Sequence, residues 1–243
     1  MELMTDEEFR LLRDFITQKC GIFYNEKQKY IFQQKLLKRL EKNALKNFKE
    51  YYYLLKYNST KEEIQQLYNV LTVNETYFFR EKEHLLAIKD YILPEMLKTR
   101  PNRVIKILSA GCSTGEEPYS IAMTLNESFT NPEQSLSILG LDISQKALDT
   151  AQSGNYRKIS LAFRAMDPLY LQKYFISSED SYKLKENIKS LVKFKLANLF
   201  EFSTLSPYDK YDLIFCRNVM IYFSKDFKRS LVESFYNCLN PDG

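Results

Sequence analysis

Four short segments of this sequence combine polar side chains with backbone freedom at spacings that suit ligand chemistry. The first, Gly111-Cys112-Ser113-Thr114-Gly115-Glu116-Glu117-Pro118, is a turn whose glycines let a ligand approach the main chain. Taken alone, Gly-x-x-x-Gly is a weak signal, because it lacks the full spacing of the dinucleotide fingerprint. The second is Asp142, which closes an apolar run. Its carboxylate can accept two hydrogen bonds from ribose hydroxyls, or it can simply cap the helix that follows. The third, Asn198-Leu199, offers an amide to an adenine edge and an apolar wall to its face, with a plain turn asparagine as the alternative. The fourth is Arg217-Asn218-Val219-Met220-Ile221-Tyr222-Phe223, where polar residues interrupt an otherwise apolar stretch. Buried polar groups need partners, and a bound cofactor can supply them.

Each of these segments follows a run of strand character, and the elements around them explain why that matters. Val104 to Ala110, Leu136 to Leu141, Leu191 to Leu196 and Tyr211 to Cys216 read as four strands. Helical patterns follow them, one with Pro118 in its first turn, one capped by Ser144, and one with Phe227, Leu231, Phe235 and Leu239 on a single face. Alternation of this kind predicts a parallel sheet with helices on its faces. Ligands bind such a sheet at the carboxyl ends of its strands, where all four segments fall. Between Tyr156 and Ser190 the pattern breaks into short pieces, including Ser181 to Lys185, and predicts a small antiparallel insertion.

The residues before the first strand have a different texture. Thr5-Asp6-Glu7-Glu8 and Thr60-Lys61-Glu62-Glu63 have capping-box spacing, and apolar residues recur behind each at helical intervals. From Gln28 to Leu45, Phe32, Leu36, Leu37 and Leu40 form one stripe while Lys35, Lys38, Arg39 and Lys42 point elsewhere. Residues 1 to 72 therefore read as a helical domain, 73 to 101 as a linker, and 102 to 243 as the α/β domain with its insertion at 156 to 190. Lys27 to Lys49 carries eight basic residues and one acidic, Glu41, so that helix predicts an acidic partner.

Composition narrows the classes. With 44% apolar residues in 243, the chain can bury a core, which excludes global disorder. No apolar run approaches the ~20 residues of a membrane span, and Met1 to Arg10 is acidic rather than signal-like, so a cytoplasmic location is expected. Cys20, Cys112, Cys216 and Cys238 are scattered and His84 stands alone. That pattern suits reduced, buried thiols rather than a metal site.

Three longer segments carry a family resemblance: Asn74-Glu75-Thr76-Tyr77-Phe78-Phe79-Arg80-Glu81, Ser113-Thr114-Gly115-Glu116-Glu117-Pro118-Tyr119-Ser120 and Cys216-Arg217-Asn218-Val219-Met220-Ile221-Tyr222-Phe223. In this order they resemble the signature segments of the CheR family of chemoreceptor glutamate methyltransferases, and the similarity runs from about residue 5 to the end. The resemblance implies a Rossmann-like methyltransferase sheet, an N-terminal all-helical domain and a small inserted β-subdomain. It also implies S-adenosylmethionine as methyl donor, S-adenosylhomocysteine as product, and methyl-accepting chemotaxis receptor helices as partners of a monomeric enzyme. By the same resemblance Asn74, Thr76 and Arg80 close over the cofactor from the linker. Glu117, Asp142, Asn198, Leu199, Arg217 and Asn218 contact it from the sheet side, and Arg80 and Tyr222 lie nearest the transferring methyl. The basic helix, through Lys35, Lys38 and Arg39, is the expected receptor-docking face.

One departure qualifies the expectation. The sequence stops at Asn240-Pro241-Asp242-Gly243, where a family member would continue into further strands, so Tyr211 to Cys216 is expected to lack a neighbour at one edge. A non-enzymatic receptor-binding module is the alternative that this raises. A nucleotide-directed methyltransferase would need a base-extruding segment, which is absent, and more positive charge than +4 for a duplex. A nicotinamide dehydrogenase would need a third glycine, and Asp142 lies too far from the turn.

Overall fold

In a computed structural model, which describes residues 3–99, 103–202 and 209–241, the first capping box forms as its spacing predicts. The Thr5 hydroxyl accepts the Glu8 N–H at 3.2 Å, and the Glu8 carboxylate accepts the Thr5 N–H at 2.8 Å. This starts α1 (Asp6–Cys20), whose buried face is Phe9, Leu12, Ile16 and Cys20. It is followed by α2 (Lys29–Lys42), α3 (Phe48–Tyr57) and α4 (Lys61–Leu71). Phe32, Leu36 and Leu40 of α2, Tyr51 and Leu55 of α3 and Leu67 and Leu71 of α4 complete one apolar core. Each such side chain contributes about 1.5–3 kcal/mol through removal from water.

The second box is only half formed, because Glu63 is used elsewhere. Thr60 accepts the Glu63 N–H at 3.1 Å, but the Glu63 carboxylate turns into the bundle. There it takes the Tyr51 hydroxyl at 2.7 Å, the Asn43 amide at 3.0 Å and a two-pronged contact from Arg39. Lys35 is also directed inward. Its ammonium donates to the carbonyls of Val70, Leu71 and Thr72 at 3.2, 2.7 and 3.4 Å, a cation at the negative end of α4. This corrects the expected docking face: Lys35 and Arg39 hold the helical domain together, and only Lys38 of the three is exposed.

After α4 the chain runs through the linker into α5 (Lys82–Ala87), a π turn (Ile88–Ile92) and α6 (Leu93–Thr99). The expected boundary between linker and α/β domain at 101 and 102, and Asp242-Gly243, fall outside the described residues. Then come β1 (Ile105–Ala110), α7 (Glu116–Asn126), α8 (Pro132–Ser135), β2 (Leu136–Asp142) and α9 (Gln145–Ser153). The next stretch supplies β3 (Asn155–Arg157), α10 (Pro168–Tyr174), β4 (Phe175–Ser177), β5 (Ser181–Leu184) and α11 (Glu186–Lys189). Last are β6 (Val192–Leu196), β7 (Leu213–Phe215) and α12 (Lys225–Cys238).

The main sheet is parallel throughout, in the order β6-β2-β1-β7. Its central strands β1 and β2 are buried almost along their length, as expected for a sheet covered on both faces. One face packs on the N-terminal helices and α12. The other packs on α7, the linker phenylalanines Phe78 and Phe79, and the insertion. The short pieces between Tyr156 and Ser190 build a three-stranded antiparallel sheet, β3-β5-β4. Order reverses at β1, which opens a crevice beside its carboxyl end. The edge at β7 is partly closed: Tyr211 donates to the Cys238 carbonyl, and Asn240 donates to the Tyr211 carbonyl, both at 2.8 Å.

The helical domain is anchored to the sheet's upper rim. Gly21 ends α1 with φ 74°, and a Cβ there would lie 2.4 Å from the Phe227 ring, so only glycine lets α12 approach this closely. The chain next bridges Ile22 to Phe223, with the Phe23 N–H on the Tyr222 carbonyl at 2.9 Å. Among the described residues no helix is long and apolar enough to cross a membrane.

The Glu63 cluster generates a stability prediction. Arg39, Tyr51 and Asn43 together outweigh the effect of burial and hold its carboxyl below the usual range. Its contribution is therefore fully present above the unfolded value near pH 4.3 and is lost as pH falls through the lower folded value. Replacing Glu63 by alanine leaves Arg39 and Tyr51 unpaired and is expected to cost about 3 kcal/mol, read by urea denaturation at pH 7. The loss should shrink as the measurement is moved below pH 4.

Candidate active site

One cavity of about 970 Å³, its open mouth included, lies where the linker, the helical domain and the upper rim of the sheet meet. Its lining contains every residue singled out in the sequence: Asn74, Thr76 and Arg80 from the linker, and Glu117, Asp142, Asn198, Leu199, Arg217, Asn218 and Tyr222 from the sheet side. The floor is the turn after β1. Gly111 has φ 79°, and a Cβ there would come within 3.0 Å of Val219. Glycine thus keeps the two loops in contact without filling the space between them.

The charged groups are arranged by the ends of the strands. Asp142, at the end of β2, accepts the Ser113 N–H at 2.7 Å on one oxygen and the Ser144 N–H at 2.8 Å on the other. Burial nevertheless pushes its carboxyl above the ordinary value. With about four acceptor sites on its two oxygens, the carboxylate keeps room for a further donor. Glu117 accepts the Ser109 hydroxyl at 2.7 Å and Arg217 at 3.3 Å, and burial raises it too. Arg217 is the hub: it also reaches the Arg80 carbonyl at 2.6 Å and Glu81 at 3.0 Å. Its Nε is buried with no hydrogen-bond partner among the described residues, so a donor stands ready for an arriving acceptor.

One expected contribution is modified by the geometry, and one carboxylate of the turn stays outside the cavity. Asn198 donates its amide to the Lys19 carbonyl at 2.7 Å and accepts the Phe200 N–H at 3.1 Å. It therefore ties α1 to the rim, with one amide hydrogen left over. Glu116 does not line the cavity. It is buried beneath the turn with Thr114 at 2.6 Å, and desolvation lifts its carboxyl to about 7.

The structure adds residues that the sequence reading left without a role. Ser109 is a fully buried hydroxyl within β1, and a polar residue inside an apolar run was the available signal. Glu81 ends the segment that begins at Asn74, but its pairing with Arg217 depends on the fold. Cys20, Ile22 and Leu71 wall the cavity from the helical domain, and no local pattern announces that. The backbone is strained around the site. Phe79, Glu81, Ser113 and Asn218 all have positive φ, between 51° and 60°, a conformation worth roughly 1–2 kcal/mol of penalty each for a side chain larger than glycine and characteristic of functional sites.

Glu116 supplies a test that is independent of ligand. Its folded pKa lies above its unfolded one, so the native state binds the extra proton between about pH 4.5 and 7. Stability from this group is full below that window and is lost as pH rises through it. Glu116→Gln is expected to raise stability at pH 8 by about 2 kcal/mol or more while changing little at pH 4, as measured by chemical denaturation at the two values.

Comparison with known proteins identifies the family. Residues 74–243 match the family described as CheR methyltransferase, SAM binding domain, and residues 7–72 match CheR methyltransferase, all-alpha domain. Chemotaxis protein methyltransferase 2 of Vibrio cholerae is 37% identical over 243 residues, spanning 99% of this chain and 84% of that protein. A chemotaxis protein methyltransferase of Borreliella burgdorferi is 36% identical over 250 residues, spanning 98% of this chain and 86% of that one. The chain therefore belongs to the CheR family of S-adenosylmethionine-dependent methyltransferases.

Proposed function

We propose that this enzyme transfers a methyl group to glutamate side-chain carboxylates on the helical signalling region of chemotaxis receptors in the cytosol, forming methyl esters. The observation that carries the reading is the single cavity joining Asn74, Thr76 and Arg80 of the linker to the acidic and amide groups of the sheet rim. The chemistry of the lining suits S-adenosylmethionine. Asp142 has lone pairs free for ribose hydroxyls, and Leu199 with the remaining Asn198 hydrogen suits an adenine. Glu117, already raised by burial, suits an ammonium, and the orphan Nε of Arg217 suits a carboxylate. Bound there, the cofactor supplies an electrophilic methyl on a sulfonium.

The chain's own residues then have little proton chemistry to perform. A receptor glutamate with an ordinary pKa of about 4.3 is already ionised, so the site needs no general base, and a cavity lining without a histidine is no defect. What the residues contribute is placement and exclusion of water. Arg80 has no ion-pair partner among the described residues and is free to hold an incoming carboxylate or the cofactor. Tyr222, fixed through its carbonyl by the Phe23 N–H, shapes the slot for the methyl. With Lys35 and Arg39 turned inward, electrostatic attraction of an acidic receptor helix falls to Lys38 and the other exposed lysines of this region, Lys27, Lys42, Lys46 and Lys49.

Asp142→Ala should weaken S-adenosylhomocysteine binding by about 2–3 kcal/mol through loss of charged hydrogen bonds, measured by calorimetry on variants of unchanged melting temperature. Arg80→Ala should lower either cofactor affinity or methyl transfer to a receptor cytoplasmic fragment by at least tenfold, roughly 1.4 kcal/mol. Parent-like values for both quantities in Arg80→Ala would remove Arg80 from the mechanism. Methyl accepted by nucleic acid and not by receptor would overturn the substrate class.

A further inference from the structure

The backbone on either side of Arg80 is held in an unfavourable conformation, with φ 60° at Phe79 and 52° at Glu81. Such a conformation persists only where surrounding contacts over-determine it. Three such contacts fix the main chain: Phe78 N–H on the Ala162 carbonyl at 2.8 Å, Phe79 N–H on the Ser120 hydroxyl at 2.9 Å, and Arg217 on the Arg80 carbonyl at 2.6 Å. None of them fixes the Arg80 side chain. Its guanidinium has one long hydrogen bond, to the Glu75 carbonyl at 3.4 Å, and lies 5.7 Å from the centre of the Tyr77 ring. Both supports belong to the start of the linker, where Glu75 is exposed and Tyr77 half-buried, so something must hold that segment in turn.

Arg164 does so from the inserted subdomain. Its guanidinium stacks on the same Tyr77 ring at 3.7 Å and pairs with the Glu75 carboxylate at 3.4 Å. A guanidinium at this distance from an aromatic face gains electrostatic and stacking attraction. The Glu75 carboxylate offsets its charge, so the two arginines share one ring without bare repulsion. The insertion itself is braced against the turn after β1, with the Tyr156 hydroxyl on the Thr114 carbonyl at 2.8 Å, and Phe78 is packed among Tyr156, Phe163 and Phe175 at 5.0–5.3 Å. Arg164 therefore stands on a rigid base.

We infer that Arg164 is a positioning residue for Arg80: through Tyr77 and Glu75, the inserted subdomain sets where the Arg80 guanidinium stands in the cavity. The inference rests on the role given to Arg80 above and adds a residue that lines no part of the site. It also makes the insertion a structural contributor to turnover, apart from anything its own surface binds.

The test is a double-mutant cycle read in two quantities, affinity for S-adenosylmethionine and rate of methyl transfer to a receptor cytoplasmic fragment. Whichever quantity Arg80→Ala lowers, Arg164→Ala and Tyr77→Leu should each lower about fivefold in the parent and leave unchanged in the Arg80→Ala background. Arg80→Lys replaces that background if the alanine variant is too slow to measure. Arg164→Lys, which keeps the cation but not the planar stack, should recover part of the loss. Equal losses with and without Arg80, or no loss in the parent, would overturn the positioning role while leaving the site intact. An Arg80→Ala variant indistinguishable from the parent would overturn both readings. Melting temperatures within a degree or two of the parent exclude unfolding as the cause. If Arg164→Ala melts early, the Arg164→Lys and Tyr77→Leu variants carry the cycle.

Discussion

The assembly of the site depends on Arg217. It follows strand β7, yet it reaches across the cavity to the Arg80 carbonyl and Glu81 on one side and to Glu117 on the other. Without that bridge the linker would be joined to the turn after β1 mainly by Ser113 on the Asn74 carbonyl at 3.2 Å. A half-buried guanidinium between two carboxylates is a compensated charge, since each acid lowers the cost of desolvating it. Burial still leaves Glu117 raised and one Arg217 nitrogen unsatisfied. The network is thus complete enough to hold the linker in place and incomplete enough to favour an arriving zwitterion.

The same economy appears in how the helical domain joins the sheet. Its contacts converge on the cavity: the Gly21 turn against Phe227, the bridge from Ile22 to Phe223, Asn198 on the Lys19 carbonyl, and Gln65 on the Ile143 carbonyl at 2.8 Å. Ser144 adds a hydroxyl to Asn69 at 2.9 Å. A single apolar core runs from α1 through the sheet face to α12, so the helical domain is a wall of the site rather than an appendage. This explains why its most basic helix uses Lys35 and Arg39 for internal ties. Helix α2 must pack against α4, and the carbonyls at the end of α4 and the Glu63 carboxylate both present negative charge to it.

Much of this was legible in the sequence, and for a physical reason. Strand and helix periodicity, the box at Thr5, the glycine turn and the acid at Asp142 are local patterns, set by neighbours within a few residues. The order of three motif segments added the family, and with it the residues now found around one cavity. Where the local reading went astray, a distant partner had intervened. Glu63 has capping-box spacing, but Arg39, Tyr51 and Asn43 offer its carboxylate more than the end of α4 could. Lys35 and Arg39 look like a solvated basic face until α4 is packed beside them.

What the sequence determined by itself is therefore the type of each element, the alternation that makes the sheet parallel, and the positions of groups fit to meet a nucleoside at the strand ends. Only the tertiary structure decided which of those groups are spent on the protein itself, as Asn198 is on Lys19. It alone decided that Ser109 and Glu81 join Glu117 and Arg217, and that Arg164 stacks on Tyr77. Except for Ser109 on Glu117, eight positions away, these are contacts between residues dozens to more than a hundred positions apart, and no local propensity encodes them. They arise when burial of the two apolar layers brings the strand ends, the linker and the insertion to one point, where each polar group must take the nearest partner that satisfies it.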